Sequence, residues 1–246
     1  MNEQVIEIRT ADGVSDGLLI RPEEGRKQPG IIHLTDIGGI RPAHAEMARR
    51  LAESGYTVLV PNVFYRTRKP PMFDFTPQMG EERTMKRFGE LAAPLTPDAM
   101  ERDGAAYVDF LAAQPSVSAG VMGVVGYCFT GALAMRTAAV RAEKIASAAS
   151  FHGGGLYTDA PTSPHLVLPR IHARLYFGHA IEDHTMPEAA IKKLDAALQT
   201  WGGKFESETY EGAHHGWTTA GTPAFNQKQA DRAFEKLKAL FVQTLR

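Results

Sequence analysis

Residues 122–134 read Met-Gly-Val-Val-Gly-Tyr-Cys-Phe-Thr-Gly-Ala-Leu-Ala, and this stretch decides the fold. The apolar run Met122 to Val125 predicts a fully buried strand, and residues 129–140 are typical of a helix. Glycines at 126 and 131 permit a sharp turn between the two elements. Cys128 is therefore predicted to lie at the carboxyl end of the strand, beside a helix N-terminus that favours a thiolate.

The cysteine has two other possible roles, a buried structural residue or part of a dinucleotide-binding turn. A free cysteine is usually a small buried hydrophobe, but nothing in packing requires a thiol at the tip of a glycine-flanked turn. A dinucleotide-binding turn needs glycine where its backbone approaches the pyrophosphate, and Cys128 occupies that position. The pattern therefore favours a nucleophile.

A nucleophile needs a base, and the base needs an acid to orient it. The short apolar strand Arg174 to Gly178 leads into a loop that carries Asp183. The alternating segment Phe205 to Tyr210 leads into a loop that carries His215. The chain order of nucleophile, acid and histidine is the one found in α/β-hydrolases.

The sequence resembles the dienelactone hydrolase family, the cysteine-nucleophile branch of the α/β-hydrolases. The resemblance is carried by Gly126-Tyr-Cys-Phe-Thr-Gly131, by Asp183-His-Thr-Met-Pro187 and by His215-Gly-Trp217. It implies a doubly wound, mostly parallel sheet with helices on both faces. It also implies that Cys128, Asp183 and His215 hydrolyse a small lactone or carboxylic ester through an acyl-enzyme, without cofactor or metal.

Adjacent residues compete with two of these assignments. Glu182 precedes Asp183, and His214 precedes His215. The family's Asp-x-x-x-Pro spacing selects Asp183, and its His-Gly-aromatic ending selects His215. A zinc site is disfavoured because no two histidines show a helical ligand spacing joined to a third ligand.

An oxyanion needs donors placed where its charge develops. The backbone amides of Phe129, next to the nucleophile, and of Ile37, after the strand Gly30 to Thr35, are the candidates. In dienelactone hydrolases a glutamate that is thought to control ionisation of the nucleophile stands where this chain has Asp36. Aspartate has the same charge and a shorter reach.

The substrate-binding residues are harder to predict. Residues just after the strands line ligand pockets in such sheets, which selects Asp36, Arg66, Tyr127, His152 and Trp217. Packing of the loops is an equal alternative for the two aromatic residues.

Family arginines that bind a substrate carboxylate are matched poorly. After the histidine the chain reads Thr218-Thr219-Ala220 where the family has one such arginine. The second is matched by Arg83 or Arg87, or by neither. In addition, Thr130 stands at a glycine-like position of the turn. Hydrolysis of a thioester or a non-lactone ester, and a catalytically silent scaffold that binds a small ligand, therefore stay open as alternatives.

The rest of the chain predicts one domain over 1–246. An antiparallel hairpin, Val5 to Arg9 with Gly17 to Arg21, begins at the sheet's edge, and strands then alternate with helices. The segment from Phe64 to Pro97 interrupts this alternation. Its aromatic and methionine content slightly favours a lid over a decorated loop.

Composition excludes several classes of partner. The 27 basic and 28 acidic residues leave a net charge of -1, which gives no nucleic-acid footprint. The first residues have no signal-peptide pattern, and no apolar run is long enough to span a bilayer. We therefore expect a cytoplasmic protein, a monomer or small homo-oligomer, that acts on a small molecule.

Overall fold

Eight strands form one sheet in the computed structural model, which describes residues 1–23 and 26–245. The strands are β1 (Asn2–Thr10), β2 (Gly13–Arg21), β3 (Gly30–Leu34), β4 (Thr57–Pro61), β5 (Met122–Tyr127), β6 (Ile145–Phe151), β7 (Arg174–His179) and β8 (Phe205–Thr209). Their spatial order is β1-β2-β4-β3-β5-β6-β7-β8. β1 and β2 pair antiparallel, as does β2 with β4, and all other neighbours are parallel.

Within residues 1–23 and 26–245, six α-helices accompany the sheet: α1 (Pro42–Glu53), α2 (Glu82–Ala92), α3 (Pro97–Ala112), α4 (Gly131–Val140), α5 (Glu188–Trp201) and α6 (Gln227–Thr244). Local signals explain several of their ends. Proline occupies the first turn of α1 and α3, and the Thr96 and Asn226 side chains cap α3 and α6. Among the described helices, none is long and apolar enough to cross a membrane.

Alternate residues of the central strands enter two separate cores. Ile32 and Val124 belong to a cluster with side chains of α3, α4 and α5, whereas Ile31 and Val125 pack with α1 and α6. Because side chains of a strand point alternately to its two faces, the helices lie on both sides of the sheet. The predicted doubly wound, mostly parallel architecture is confirmed, and the central strands β3, β5 and β6 are buried on both faces.

The predicted elements differ from the structure mainly at their ends. β5 continues to Tyr127, and residues 128–130 form a short 3₁₀ turn before α4 begins. The largest omission is α2, which lies inside the segment 64–97 that was predicted without secondary structure. Met85, Phe88 and Leu91 stand at helical spacing in this helix, but the helix is short and charged, and only Thr84 and Leu91 are buried.

Parallel strands bring distant parts of the chain to one edge. β3, β5, β6, β7 and β8 are neighbours in the sheet, and their carboxyl ends lie at the same edge. The loops that follow them contain Ile37, Cys128, His152, Asp183 and His215. The fold thereby assembles the predicted site from five separate loops.

Candidate active site

Cys128 follows β5 directly and has a φ of 57°. A residue with a side chain rarely adopts this left-handed conformation, and here the backbone turns sharply from strand into helix. The turn needs glycine on both sides: a Cβ at Gly126 would lie 2.2 Å from the Thr130 carbonyl oxygen, and one at Gly131 would lie 2.2 Å from Ser150 Oγ. The thiol is partly exposed at the tip of the turn.

Thr130 fastens this turn to the sheet. The Tyr127 amide donates to Thr130 Oγ1 at 2.9 Å, and the same hydroxyl lies 3.2 Å from the Leu34 carbonyl oxygen. The residue is fully buried. The threonine that departs from the family's glycine pattern therefore holds the turn to β3.

Asp183 and His215 meet across the loops after β7 and β8. The Nδ1–H of His215 donates to Asp183 Oδ2 at 2.6 Å. The other carboxylate oxygen accepts from the backbone amide and the hydroxyl of Thr185, at 2.9 and 2.6 Å. Asp183 is 5% exposed, so its oxygens are held by protein donors.

These contacts shift both protonation equilibria. Burial would raise the pKa of Asp183, but the hydrogen bonds from His215 and Thr185 outweigh it and lower the pKa to about 2. Burial would likewise lower the pKa of His215, yet hydrogen bonding to Asp183 and interaction with the Cys128 thiol raise it to about 10. The imidazole is therefore protonated at neutral pH, as expected of a partner for a thiolate.

Glu182 and His214, the alternatives to Asp183 and His215, point into solvent. Glu182 and His214 are 3.8 Å apart, and their side chains are 80% and 59% exposed. Neither contacts the Asp183–His215 pair through a hydrogen bond of the described residues. The geometry favours the assignment made from the spacing.

The amides of Ile37 and Phe129 are the oxyanion donors that the sequence predicts. Ile37 lies in the turn after β3, and Phe129 follows the nucleophile. Within residues 1–23 and 26–245, neither amide donates a hydrogen bond to a protein acceptor. Both residues are partly exposed.

Asp36 is committed to other groups. Arg41 binds it with both terminal nitrogens, at 2.5 and 2.7 Å, and His44 Nε2 lies 3.3 Å from Oδ2. Burial would raise the pKa of Asp36, but His44 and Arg41 hold it well below its usual range. Thr219 Oγ1 approaches the same carboxylate at 3.4 Å.

Three predicted pocket residues, Tyr127, His152 and Trp217, are buried. Tyr127 is 3% exposed and stacks on Phe151, while Trp217 is fully buried and stacks on Tyr210. Both aromatic residues therefore pack within the core next to the site, as the alternative to a pocket role predicted.

His152 is different, because its ring centroid lies 5.1 Å from that of His215. It has a φ of 41°, and its Nε2 lies 2.8 Å from Thr218 Oγ1. Burial and the neighbouring His215 lower the pKa of His152 to about 3. A neutral imidazole therefore packs against the candidate base.

The structure does not bring the predicted arginines to the triad. Arg66 is bound by Asp12 and by buried Asp103, with Nη1 2.6 Å from Asp103 Oδ2. The Arg83 side chain is 61% exposed, lies 3.6 Å from Asp74 and covers the ring of Phe75. Carboxylates of the chain already neutralise both guanidinium groups.

The segment from Phe64 to Pro97 contacts the turn after β3, residues 35–41, which is called the oxyanion loop because it contains Ile37. Met72 is 1% exposed, and a Cβ at Gly39 would lie 2.5 Å from its Cγ. Phe73 beside it makes edge contacts with Phe75 and Phe88. The segment therefore packs against Gly39, two residues after Ile37, through Met72.

The sequence did not predict four residues that lie near the site: His33, Arg41, His44 and Thr185. A signal existed for two of them. His33 is a polar residue inside the apolar strand β3, and the Asp-x-Thr order of the acid loop is typical of a local hydroxyl–carboxylate turn. Arg41, which precedes α1, and His44, which lies on it, carry no comparable signal, because they meet Asp36 only in the folded chain. No group of three or more His, Cys, Asp or Glu side chains among residues 1–23 and 26–245 is arranged to hold a metal ion.

The fold and the site define the class, an α/β-hydrolase. Two solved structures share the fold at low identity, which concerns the fold alone. The dienelactone hydrolase of Anabaena variabilis is 15% identical, with a TM-score of 0.72 over 100% of this chain and 99% of that one. A dienelactone hydrolase-like promiscuous phosphotriesterase from metagenomic libraries is 18% identical, with a TM-score of 0.80 over 99% and 98%.

Sequence similarity identifies the family within this class of hydrolases. A family model for the dienelactone hydrolase family matches residues 15–245. Carboxymethylenebutenolidase of Rhodococcus opacus is 27% identical over 186 residues, 75% of this chain and 68% of that protein. The chain belongs to the dienelactone hydrolase family of hydrolases, which confirms the resemblance.

Proposed function

We propose that this hydrolase cleaves the ester bond of a small lactone or carboxylic ester with Cys128 as nucleophile. One observation carries the proposal: the 2.6 Å bond between His215 and Asp183, with the His215 imidazolium interacting with the thiol on the tip of the strained turn. A nucleophile, a base and an orienting acid in mutual reach are the requirement for covalent catalysis.

The first half of the reaction forms an acyl-enzyme. Cys128 Sγ attacks the carbonyl carbon, and the amides of Ile37 and Phe129 stabilise the oxyanion. The C–O bond of the ester then breaks, and the leaving oxygen takes the proton from His215 Nε2. Asp183 holds Nδ1–H, which leaves Nε2 as the nitrogen that transfers protons.

The second half reverses these roles. His215 Nε2 takes a proton from water, and the hydroxide formed attacks the acyl carbon. The C–S bond breaks, the carboxylic acid leaves, and the thiolate–imidazolium pair is restored. In a lactone the leaving alcohol stays attached to the acyl group, so one ring-opened product is released.

The surroundings favour a neutral substrate. Thr219 stands where the family has an arginine, and it is a neutral residue that is fully buried beside Asp36. Asp36 in turn neutralises Arg41 beside the oxyanion loop. We also assign a lid role to the segment 64–97, which contacts this loop through Met72.

A panel of lactones and short p-nitrophenyl esters tests the proposal, each assayed with wild type, Cys128→Ala and Cys128→Ser. We expect turnover of at least one neutral ester or lactone, and its loss in Cys128→Ala. Rapid quenching followed by intact-protein mass measurement should detect acyl transfer to Cys128. Retention of turnover in Cys128→Ala would refute the nucleophile, and failure of the whole panel would refute the substrate class.

A further inference from the structure

We propose that Thr185 is a positioning residue that fixes the acid of the triad and thereby the proton affinity of His215. This proposal rests on the triad of the proposed function, and it concerns a residue to which neither the motif nor the fold gives a role.

The two carboxylate oxygens of Asp183 have different partners. Oδ2 accepts the Nδ1–H of His215, whereas Oδ1 accepts both hydrogen bonds from Thr185, through the amide and the hydroxyl. With both oxygens held, the carboxylate cannot rotate about its own axis without breaking charge-assisted bonds. The hydroxyl bond, at 2.6 Å, is as short as the bond to His215.

The hydroxyl oxygen also lies 3.4 Å from His215 Nδ1. Its hydrogen is donated to Asp183, so its lone pairs are the part of the group available to the imidazolium. Thr185 therefore acts on the same Nδ1–H from a second direction, and removing the hydroxyl should lower the pKa of His215.

The loop after β6 holds Thr185 in place. The Gly155 amide donates to the Thr185 carbonyl oxygen at 2.8 Å, and Gly154 leaves no room for a Cβ, which would lie 2.8 Å from Thr185 Oγ1. The residue itself is exposed, so its side chain contributes little to the hydrophobic core. Strong local fixation without core burial is what a positioning role requires.

Three variants distinguish a positioning role of the Thr185 hydroxyl from a merely structural role of the residue. Thr185→Val removes the hydroxyl and keeps the shape and the backbone bond, Thr185→Ser keeps the hydroxyl, and Gly154→Ala displaces the hydroxyl without removing it. Thr200→Val is the matched control, because Thr200 is exposed on α5 and its hydroxyl donates to the helix carbonyl of Ala196, with no other partner among the described residues.

Two readouts are measured on each full-length protein. The first is kcat and KM against pH. The second is the rate of Cys128 alkylation by iodoacetamide against pH, which reports the thiolate–imidazolium pair whatever the natural substrate is.

We expect Thr185→Val and Gly154→Ala to lower kcat about tenfold or more with KM little changed, since a bond to a charged group is lost. Their alkaline inflection in alkylation should move down from near pH 10. Thr185→Ser and Thr200→Val should resemble wild type, and Thr185→Val should add little to Asp183→Asn. An unshifted inflection in Thr185→Val, or a serine variant as impaired as the valine variant, overturns the proposal. If the esters are not turned over, the alkylation profiles still decide it.

Discussion

Two buried aspartates of this fold each bind a histidine, and a second histidine lies against each of these. Asp183 binds His215, against which His152 packs. Asp36 lies 3.3 Å from His44, whose Nδ1 is 2.9 Å from His33 Nε2. Both clusters follow strands of the same sheet edge, yet only the first has the form of a catalytic pair.

Two differences separate the clusters. The His215 side chain is 28% exposed, whereas His44 and His33 are fully buried. Asp183 has hydroxyl, amide and imidazole donors and no arginine, whereas Asp36 is bound by both terminal nitrogens of Arg41. Arg41 therefore compensates the charge of Asp36, whereas the charge of Asp183 acts on His215, whose pKa it raises. We propose that this difference, together with the partial exposure of His215, suits the first cluster for proton transfer.

The largest expected effect breaks the first cluster. Asp183→Asn should lower kcat on the order of a thousandfold, because the amide can donate to Nδ1 and so favours the wrong imidazole tautomer. It should also lower the alkaline limit of activity, since the Asp183 hydrogen bond raises the pKa of His215. Steady-state kinetics against pH measure both effects.

The neighbouring carboxylate supplies the control. Glu182→Gln removes a charge one residue away, on a side chain that is 80% exposed, and should change kcat by less than about twofold. If Glu182→Gln is the more damaging variant, the acid is assigned to the wrong residue.

The fold could be predicted almost element by element, because its central strands are continuous apolar runs and its helices carry prolines, glycines and caps at their ends. β4 and β6 have the predicted bounds. The exception is α2, whose exposed, charged sequence buries only two side chains. Its position depends on contacts such as the 2.8 Å bond from Arg87 Nη1 to the Met72 carbonyl oxygen, which no local pattern records.

The candidate site divides in the same way. Cys128, Asp183 and His215 could be proposed from the sequence because each lies in a loop after a strand, within a motif. The partners of Asp36 could not, because Arg41 precedes α1 and His44 lies on it, and ion pairing of this kind depends on the fold. The predicted roles of Arg66 and Arg83 in substrate binding lack support for the same reason: their partners are carboxylates distant in sequence or on an exposed loop.

A second prediction concerns the neutral histidine of the first cluster. The pKa of His152 falls from 6.5 to about 3 on folding, so below pH 6.5 the unfolded chain binds a proton that the folded chain does not. Stability is therefore lost as pH falls from about 6.5 towards 3. Between pH 7 and 5 this residue should cost roughly 2 kcal/mol of unfolding free energy.

His152→Asn tests this prediction, since asparagine tolerates the φ of 41° and still offers a polar group to Thr218. Urea unfolding at pH 7 and pH 5 should show a loss of stability in wild type that is smaller in the variant by that amount. His184→Asn, at an exposed position of the acid loop, should leave the wild-type loss unchanged. Equal losses in wild type and His152→Asn would mean that His152 takes up its proton in the folded state.

The last prediction alters the second cluster. Asp36→Asn keeps an oxygen acceptor for Arg41 but removes the negative charge, which leaves the guanidinium uncompensated beside Gly38 and the oxyanion loop. We expect the ratio of kcat/KM for a carboxylate-bearing lactone to that for a neutral ester of similar size to rise about tenfold, the size of one partly shielded Arg–carboxylate contact.

Arg41→Gln is the opposite change and should lower the same ratio, because it leaves the charge of Asp36 uncompensated. The double variant has neither charge and should return close to the wild-type ratio, so the comparison measures charge rather than damage to the loop. Turnover of the neutral ester should fall only severalfold in Asp36→Asn, since the triad is untouched. A loss comparable to that of Asp183→Asn would instead place Asp36 within the reacting machinery, and the two aspartate–histidine clusters would then work as one site.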